Sequence, residues 1–363
     1  MSTPRPGEGG RGAPFDLLVV GGGPVGAVTA VEAARAGLRV ALVEPRRPPI
    51  DKACGEGVMP SGLAHLQRLG IAPEGSPIRG IRYVDPARGR EVRAGFRGGR
   101  SGLGVRRTTL QLACHEAALA HGVEWLRDAV SELDTGGEHA TEVGAALRSG
   151  GTVRARWVVG ADGLHSGVRR HVSPAVHRSR APARYGLVRH HRGVPAPDHV
   201  SVHWTRLGEV YVTPLAADEV GVAVLTSPGT AHDDVVALAP EVRDLVGAGE
   251  PTSMRGAGPL WQVPRRRTRG RVLLVGDAAG YLDALTGEGI SVGLAQAQAA
   301  VAAVLAGDLS RYERSWWRVS GLPFALTGGL AVATRSDAVR SRLVPLATRA
   351  RPVFGAAVSL AGG

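Results

Sequence analysis

Phe15-Asp16-Leu17-Leu18-Val19-Val20-Gly21-Gly22-Gly23-Pro24-Val25-Gly26 is the stretch whose reading sets the fold. Its first six residues are mostly apolar and predict a strand; after the glycines a helical pattern runs through Ala36 and stops at Gly37. Leu38 to Val43 is a second β-leaning run and ends at Glu44. Strand, glycine turn, helix and strand make a βαβ unit. In Gly21-x-Gly23-x-x-Gly26 the first glycine permits a tight turn, the second lets backbone approach a pyrophosphate, and the third lets helix and strand pack closely. The helix N-terminus then faces the negative charge. Glu44, eighteen residues past Gly26, stands where a carboxylate accepts hydrogen bonds from a ribose, and it disfavours a 2'-phosphate there. A flexible turn beside a surface glutamate would not explain the whole pattern.

Farther along, Trp157-Val158-Val159-Gly160-Ala161-Asp162-Gly163-Leu164-His165-Ser166 is a strand running into a glycine-flanked aspartate. Alone it is equally an ordinary strand-to-turn transition in which Asp162 caps the following helix. Val272-Leu273-Leu274-Val275-Gly276-Asp277-Ala278-Ala279-Gly280 presents the same pattern at Asp277, and Thr286-Gly287-Glu288-Gly289-Ile290 opens a long small-residue helix reaching Leu305. A strand-delivered aspartate suits a polyol chain, and Gly287 and Gly289 let backbone donors approach a cofactor ring. Arg106 to His121 reads as another helix. From about Arg178 to Leu260 the texture changes to short alternating segments bounded by Pro and Gly, which predicts an antiparallel sheet. The nucleotide-binding domain is therefore discontinuous, residues 15–177 and 261–310. A substrate-binding sheet domain at 178–260 interrupts it, a leader covers 1–14, and a helical region covers 311–363.

With 363 residues, 44% of them hydrophobic, the chain can fill two interlocked cores. Lys and Arg number 44 against 32 acidic residues, a net charge of +12, and Lys52 is the sole lysine. A basic surface concentrates anions of any kind. No nucleic-acid reading motif accompanies the charge, so nucleic acid is not expected as a partner. The two cysteines, Cys54 and Cys114, are far apart and lack metal-ligand spacing. Neither a disulfide scaffold nor a metal site is expected, and a reducing cytoplasm fits. The leader, rich in Gly, Pro and Arg, lacks the apolar core of a signal peptide and reads as disordered. Gly321 to Thr334 is mostly apolar but shorter than the ~20 residues of a bilayer span, and a buried helix is favoured over a membrane-surface contact.

The three motifs, in this order, resemble the large flavoprotein family that contains aromatic hydroxylases, flavin halogenases and geranylgeranyl reductases, from about Phe15 to Leu305. The resemblance implies a mixed α/β, glutathione-reductase-like Rossmann fold that binds one FAD, with an inserted antiparallel β-sheet substrate domain and a helical C-terminal tail. It implies that Gly21, Gly23, Gly26, Glu44, Asp162, Asp277, Gly287, Gly289 and Ile290 hold FAD. It also implies that Arg107, in Arg107-Thr108-Thr109-Leu110, approaches the cofactor and that backbone near Val130 contacts the adenine. Within the family, Lys52-Ala53-Cys54-Gly55-Glu56-Gly57 and Leu285-Thr286-Gly287-Glu288-Gly289-Ile290 look most like the geranylgeranyl reductase branch. Hydroxylases usually carry His where Gly280 stands and Pro where Ala284 stands, and the reductases commonly keep that proline too. The Trp-x-Trp-x-Ile-Pro signature of tryptophan-type halogenases is missing; Leu260-Trp261-Gln262-Val263-Pro264 is the nearest string.

The leading expectation is an enzyme whose reduced FAD passes hydride to a carbon-carbon double bond of a small apolar substrate, prenylated or polyketide-like, of secondary metabolism. A monooxygenase, in which reduced flavin captures oxygen as a C4a adduct, is the rival. A flavoprotein that only shuttles electrons or binds a hydrophobic ligand is the third reading. No second glycine turn of this type is apparent, so the donor is a transiently bound NAD(P)H, or a separate reductase or ferredoxin. Cys54 is the candidate catalytic residue, because a thiol beside the isoalloxazine can donate a proton; a buried small hydrophobe is its competing role. Cys114 reads as core. His190 and His191 are adjacent on a predicted strand, so at most one faces a substrate. Trp316 and Trp317 in the tail suit a pocket cap, a membrane contact or simple packing.

Overall fold

The computed structural model describes residues 13–135, 140–178 and 183–362; most of the expected leader lies outside them. β1 (Phe15–Val20) passes through the glycine turn into α1 (Pro24–Arg35), where proline takes the first position and its missing N–H has no helical partner to lose. β2 (Val40–Val43) and α2 (Pro60–Arg68) follow. A hairpin of β3 (Gly80–Asp85) and β4 (Arg90–Gly95) precedes α3 (Arg107–Ala120). Next come β5 (Glu124–Leu126), β6 (Val130–Asp134), β7 (Val143–Leu147), β8 (Thr152–Gly160) and the short α4 (Val168–Val172). A meander follows, β9 (Tyr185–Arg192), β10 (Val200–Thr205), β11 (Gly208–Ala216) and β12 (Glu219–Thr226), then α5 (His232–Val236) and α6 (Pro240–Gly247). β13 (Val272–Leu274) and α7 (Gly289–Leu305) return to the first domain, and α8 (Ser310–Ala333), α9 (Asp337–Arg349) and α10 (Arg351–Gly362) form the tail.

The first sheet runs β13-β8-β1-β2-β5, every pair parallel, with β7 and β6 joined to β8 as an antiparallel extension. Leu17, Leu18, Val19, Leu42, Val158 and Leu273 are completely buried. A parallel sheet covered on both faces has no solvent side, hence the continuous apolar runs in the sequence. The carboxyl ends of β1, β8 and β13 lie together, and each runs directly into a glycine-containing loop. Open parallel sheets place ligands at this edge.

The second sheet corrects the expected domain boundary. Its order is β9-β12-β11-β10-β3-β4, so the hairpin 80–95, expected within the nucleotide domain, belongs to the inserted sheet. β3 pairs with β10 in parallel, Val200 opposite Ile81 and Val202 opposite Tyr83, and thereby covers what would be the open edge of the meander.

Strand alternation gives this sheet two distinct faces. On β11, Val210 and Val212 point to one side with Val220, Val222 and Val224 of β12, and join Val235, Val236 and Val242 of α5 and α6 in a separate core. Glu209, Tyr211 and Thr213 point the other way. Thr213 Oγ1 donates to Gly55 O at 2.9 Å and Tyr211 Oη to Leu285 O at 3.0 Å, both across to the first domain. The two domains therefore meet on the loops 52–57 and 283–289.

Candidate active site

Gly21 has φ +109°, a conformation that disfavours any side chain. A Cβ there would stand 2.5 Å from Ala161 O and 2.8 Å from Asp162 Cα, so the second motif lies directly against the first glycine. A Cβ on Gly26 would run into Gly21 O. No side chain caps α1, whose first turn contains no acidic residue. Its free N–H groups and positive dipole end are open to an anion. Above Gly23 hangs the Arg107 guanidinium, with Nη2 3.2 Å from where a Cβ would be, and Arg107 Nε is buried with no hydrogen-bond partner. An orphaned guanidinium donor over an uncapped glycine turn fits the pyrophosphate of a dinucleotide.

Glu44, 2% exposed, accepts from Gly22 N at 2.9 Å and from Arg46 Nε at 2.8 Å. Burial alone would raise its pKa, but the hydrogen bonds from Arg46 and Gly22 hold the carboxyl below its ordinary value. It remains an anion beside the turn, with lone pairs to offer a ribose. Gln111, one helical turn beyond Arg107, was missed by the sequence reading. Its Nε2 donates to Gly22 O at 3.0 Å while its Oε1 accepts from Ile50 N at 2.9 Å, so it pins the turn to the loop after β2. The four-residue spacing from Arg107 was the available signal.

Asp162 takes the second of the two roles read for it, that of a cap. Its carboxylate accepts from Ser166 Oγ at 2.5 Å, Gly167 N at 2.7 Å and Val168 N at 3.1 Å. The side chain is thus committed to its own loop and to the start of α4, and the backbone of this loop is what borders Gly21. Val130 opens β6 opposite Leu147 and packs against the main core. The aromatic ring bordering the glycine turn is Trp125, 2.5 Å from a Cβ built on Gly22.

Asp277 lies in a single 3-10 turn after β13, one-third exposed, with Lys52 Nζ 3.5 Å from Oδ2. The sole lysine of the chain therefore stands at the third motif, and its rarity was the signal. Gly287 has φ +68°, Gly289 starts α7, and Ile290 packs against the main core. Between the two glycines, Glu288 is 7% exposed and its Oε2 has no partner. Burial, only partly opposed by a hydrogen bond from Thr286, pushes the acid up to about 7. Neither Gln111, Lys52 nor Glu288 was singled out from sequence.

Cys54 Sγ accepts from Glu56 N at 3.3 Å, and burial raises the thiol above its usual range, with the Arg107 charge opposing. It is a neutral thiol, not a thiolate nucleophile. Glu56 adopts φ +59°, left-handed for a non-glycine residue. Its Oε1 accepts from Arg107 N at 2.7 Å, and its Oε2 is 2.7 Å from His190 Nε2 in a pair 2% and 5% exposed. Such a conformation persists where surrounding contacts over-determine it. His190 thus holds the Cys54 loop against the inserted sheet. His191 points to the far face, both ring nitrogens unpartnered, and burial pushes it down to about 4. That far face also carries a cleft lined by Arg82, Arg93, His199, His203 and Glu241, away from the motifs.

Such a fold, with three glycine loops meeting at one sheet edge, defines a dinucleotide-binding flavoprotein with an inserted sheet domain. The chain belongs to the FAD binding domain family, whose model matches residues 15–311, and is an FAD-dependent oxidoreductase. It is 29% identical to a menaquinone reductase of Mycolicibacterium smegmatis over 83% of this chain and 79% of that protein. It is 27% identical to a chloroplastic geranylgeranyl diphosphate reductase of Oryza sativa subsp. japonica, over 87% and 74%. Among solved structures, a triple mutant of a flavin-dependent brominase superposes with a TM-score of 0.81 over 96% of this chain and 94% of that one, at 16% identity, a likeness of fold.

Proposed function

We propose that the chain reduces a carbon-carbon double bond of an apolar, prenyl or polyketide-like substrate. The observation that carries this reading is Glu288, a buried acid whose Oε2 has no hydrogen-bond partner, set between the two glycines of the ring loop. Relatives named as reductases of menaquinone and of geranylgeranyl diphosphate support it.

When bound, FAD supplies the hydride. Gly21, Gly23 and Gly26 with Arg107 bind the pyrophosphate, Glu44 the ribose and Asp277 the polyol chain, while Lys52 offsets the charge of Asp277. Addition of hydride to an alkene leaves one carbon in need of a proton, and two groups at this junction carry one, Cys54 Sγ and a Glu288 oxygen. A general acid works best with acidity near the operating pH, which favours Glu288, with Cys54 lining the pocket. His190 and Glu56 position Cys54. The Tyr211 side of the inserted sheet closes over these loops and excludes water. The donor binds transiently, as NAD(P)H or a separate reductase or ferredoxin.

The test is to reduce the FAD-loaded protein without oxygen, add geranylgeranyl diphosphate or a menaquinone, and admit oxygen to half of each sample. A product whose alkene chain gains two hydrogens in both halves, with any quinol reoxidised before the mass is measured so that ring reduction is not counted, supports the reading. A product carrying an oxygen atom, formed only after oxygen enters, would establish a monooxygenase instead; flavin that reacts with a redox protein and no alkene would establish a shuttle.

A further inference from the structure

The tail carries an exposed surface that neither the cofactor site nor the inserted sheet uses. α8 buries Tyr312, Trp316, Ser320, Thr327 and Ala331 along one side. Its opposite side is the solvent side, yet from Val319 to Thr334 the helix contains no charged residue. Trp317 is 56% exposed, Leu322 52%, Leu326 41% and Val332 54%. Helical spacing puts Leu322, Leu326 and Gly329 on one exposed stripe that continues from Arg311, Arg314 and Arg318. The same order recurs at the junction of α9 and α10, where exposed Arg349, the last residue of α9, and Arg351, the first of α10, precede Val353, 69% exposed, and Leu360, 58% exposed.

A solvent-facing apolar strip next to arginines is the pattern of a helix that lies in a membrane interface, with tryptophan at the headgroup level. No described helix is long and apolar enough to cross a membrane. From Leu322 to Val332 the strip is about 15 Å long at 1.5 Å per residue, half of a hydrocarbon core, so it suits lying on a bilayer and not crossing one. The charge selects the partner. Residues 310–352 contain eight arginines against two acidic residues, Glu313 and Asp337, and each acid already faces an arginine, Arg267 and Arg340 respectively. We propose that the α8 strip docks this protein on an anionic lipid surface, the apolar side chains entering the acyl boundary and the arginines meeting phosphate headgroups. This inference is independent of which bond the flavin reduces.

Flotation of the FAD-loaded chain with vesicles of phosphatidylcholine alone, and of phosphatidylcholine mixed with phosphatidylglycerol, tests it. The protein is expected on the mixed vesicles, with less bound as salt rises. L322Q/L326Q and, separately, R314E/R318E are expected to lower partition about tenfold or more while the FAD absorbance is unchanged. All four side chains are exposed, so the fold does not depend on them. Absence of binding to both vesicle types, equal binding to both, or variants that bind like the parent would overturn the proposal. A dimer in solution that L322Q/L326Q converts to monomer would also overturn it, by assigning the strip to a second copy of the chain.

Discussion

Arg107 Nε is buried without a partner while its guanidinium overhangs Gly23, so a bound pyrophosphate would complete it. Charge-assisted hydrogen bonds contribute about 1.5–3 kcal/mol, and Arg107→Met should raise the FAD dissociation constant roughly 10- to 100-fold, read by flavin fluorescence quenching. An unchanged constant would remove Arg107 from the cofactor site. Glu288 makes a pH prediction. Its acid is raised from 4.5 to about 7, so the folded state holds the proton more tightly than the unfolded chain. Its contribution to stability is fully present below pH 4.5 and is lost as pH rises through about 7, a change on the order of 3 kcal/mol. Melting temperature across that window should therefore fall more steeply in the parent protein than in Glu288→Gln, and parallel curves would refute the assignment. Neither residue's state was legible in sequence. Arg107 was recognisable by motif, but an orphaned Nε is a property of packing, and the acidity of Glu288 comes from desolvation that only the assembled loop creates.

The βαβ unit was readable because its signals are local: an apolar run, glycines at fixed offsets, a helical stop at Gly37. The helix expected from Gly289 to Leu305 is found with those bounds. The hairpin 80–95 was not assigned to the inserted sheet, since its parallel partner β10 lies more than a hundred residues away and no local pattern encodes that pairing. Asp162 was readable in both its roles, cofactor contact or helix cap, and only the geometry of Ser166, Gly167 and Val168 decided for the cap. The joint between elements is likewise a structural finding. Glu56 on the Cys54 loop pairs with His190 on β9, both buried. Removing one partner of a buried pair costs about 3–5 kcal/mol. Glu56→Ala should therefore destabilise strongly in urea denaturation, and the double variant with His190→Ala should cost much less than the sum of the singles. Additive effects would show that the pair does not join the domains. Gly26→Ala should abolish FAD retention on purification, because its Cβ would strike Gly21 O; a variant that keeps its flavin would contradict the close packing of α1 on β1.

Seen whole, the molecule places one cofactor edge, formed by the carboxyl ends of β1, β8 and β13, beneath an inserted sheet whose Tyr211 face closes over it and whose valine face is sealed by its own helices. Sequence motifs determined the first of these layers. The second depended on which alternate side chains of β11 and β9 turn inward, and a period of two leaves that choice open until the register is known. The tail adds a third layer whose outward apolar strip no cofactor motif predicts. The most direct measurement is an anaerobic single turnover: the FAD-loaded protein, reduced in advance, is mixed with geranylgeranyl diphosphate while flavin absorbance and product mass are followed together. The proposed function predicts that flavin reoxidation and alkene saturation proceed at the same rate and in equal amounts, without oxygen. Flavin that stays reduced with geranylgeranyl diphosphate until oxygen is admitted, and then yields an oxygenated product, would contradict it.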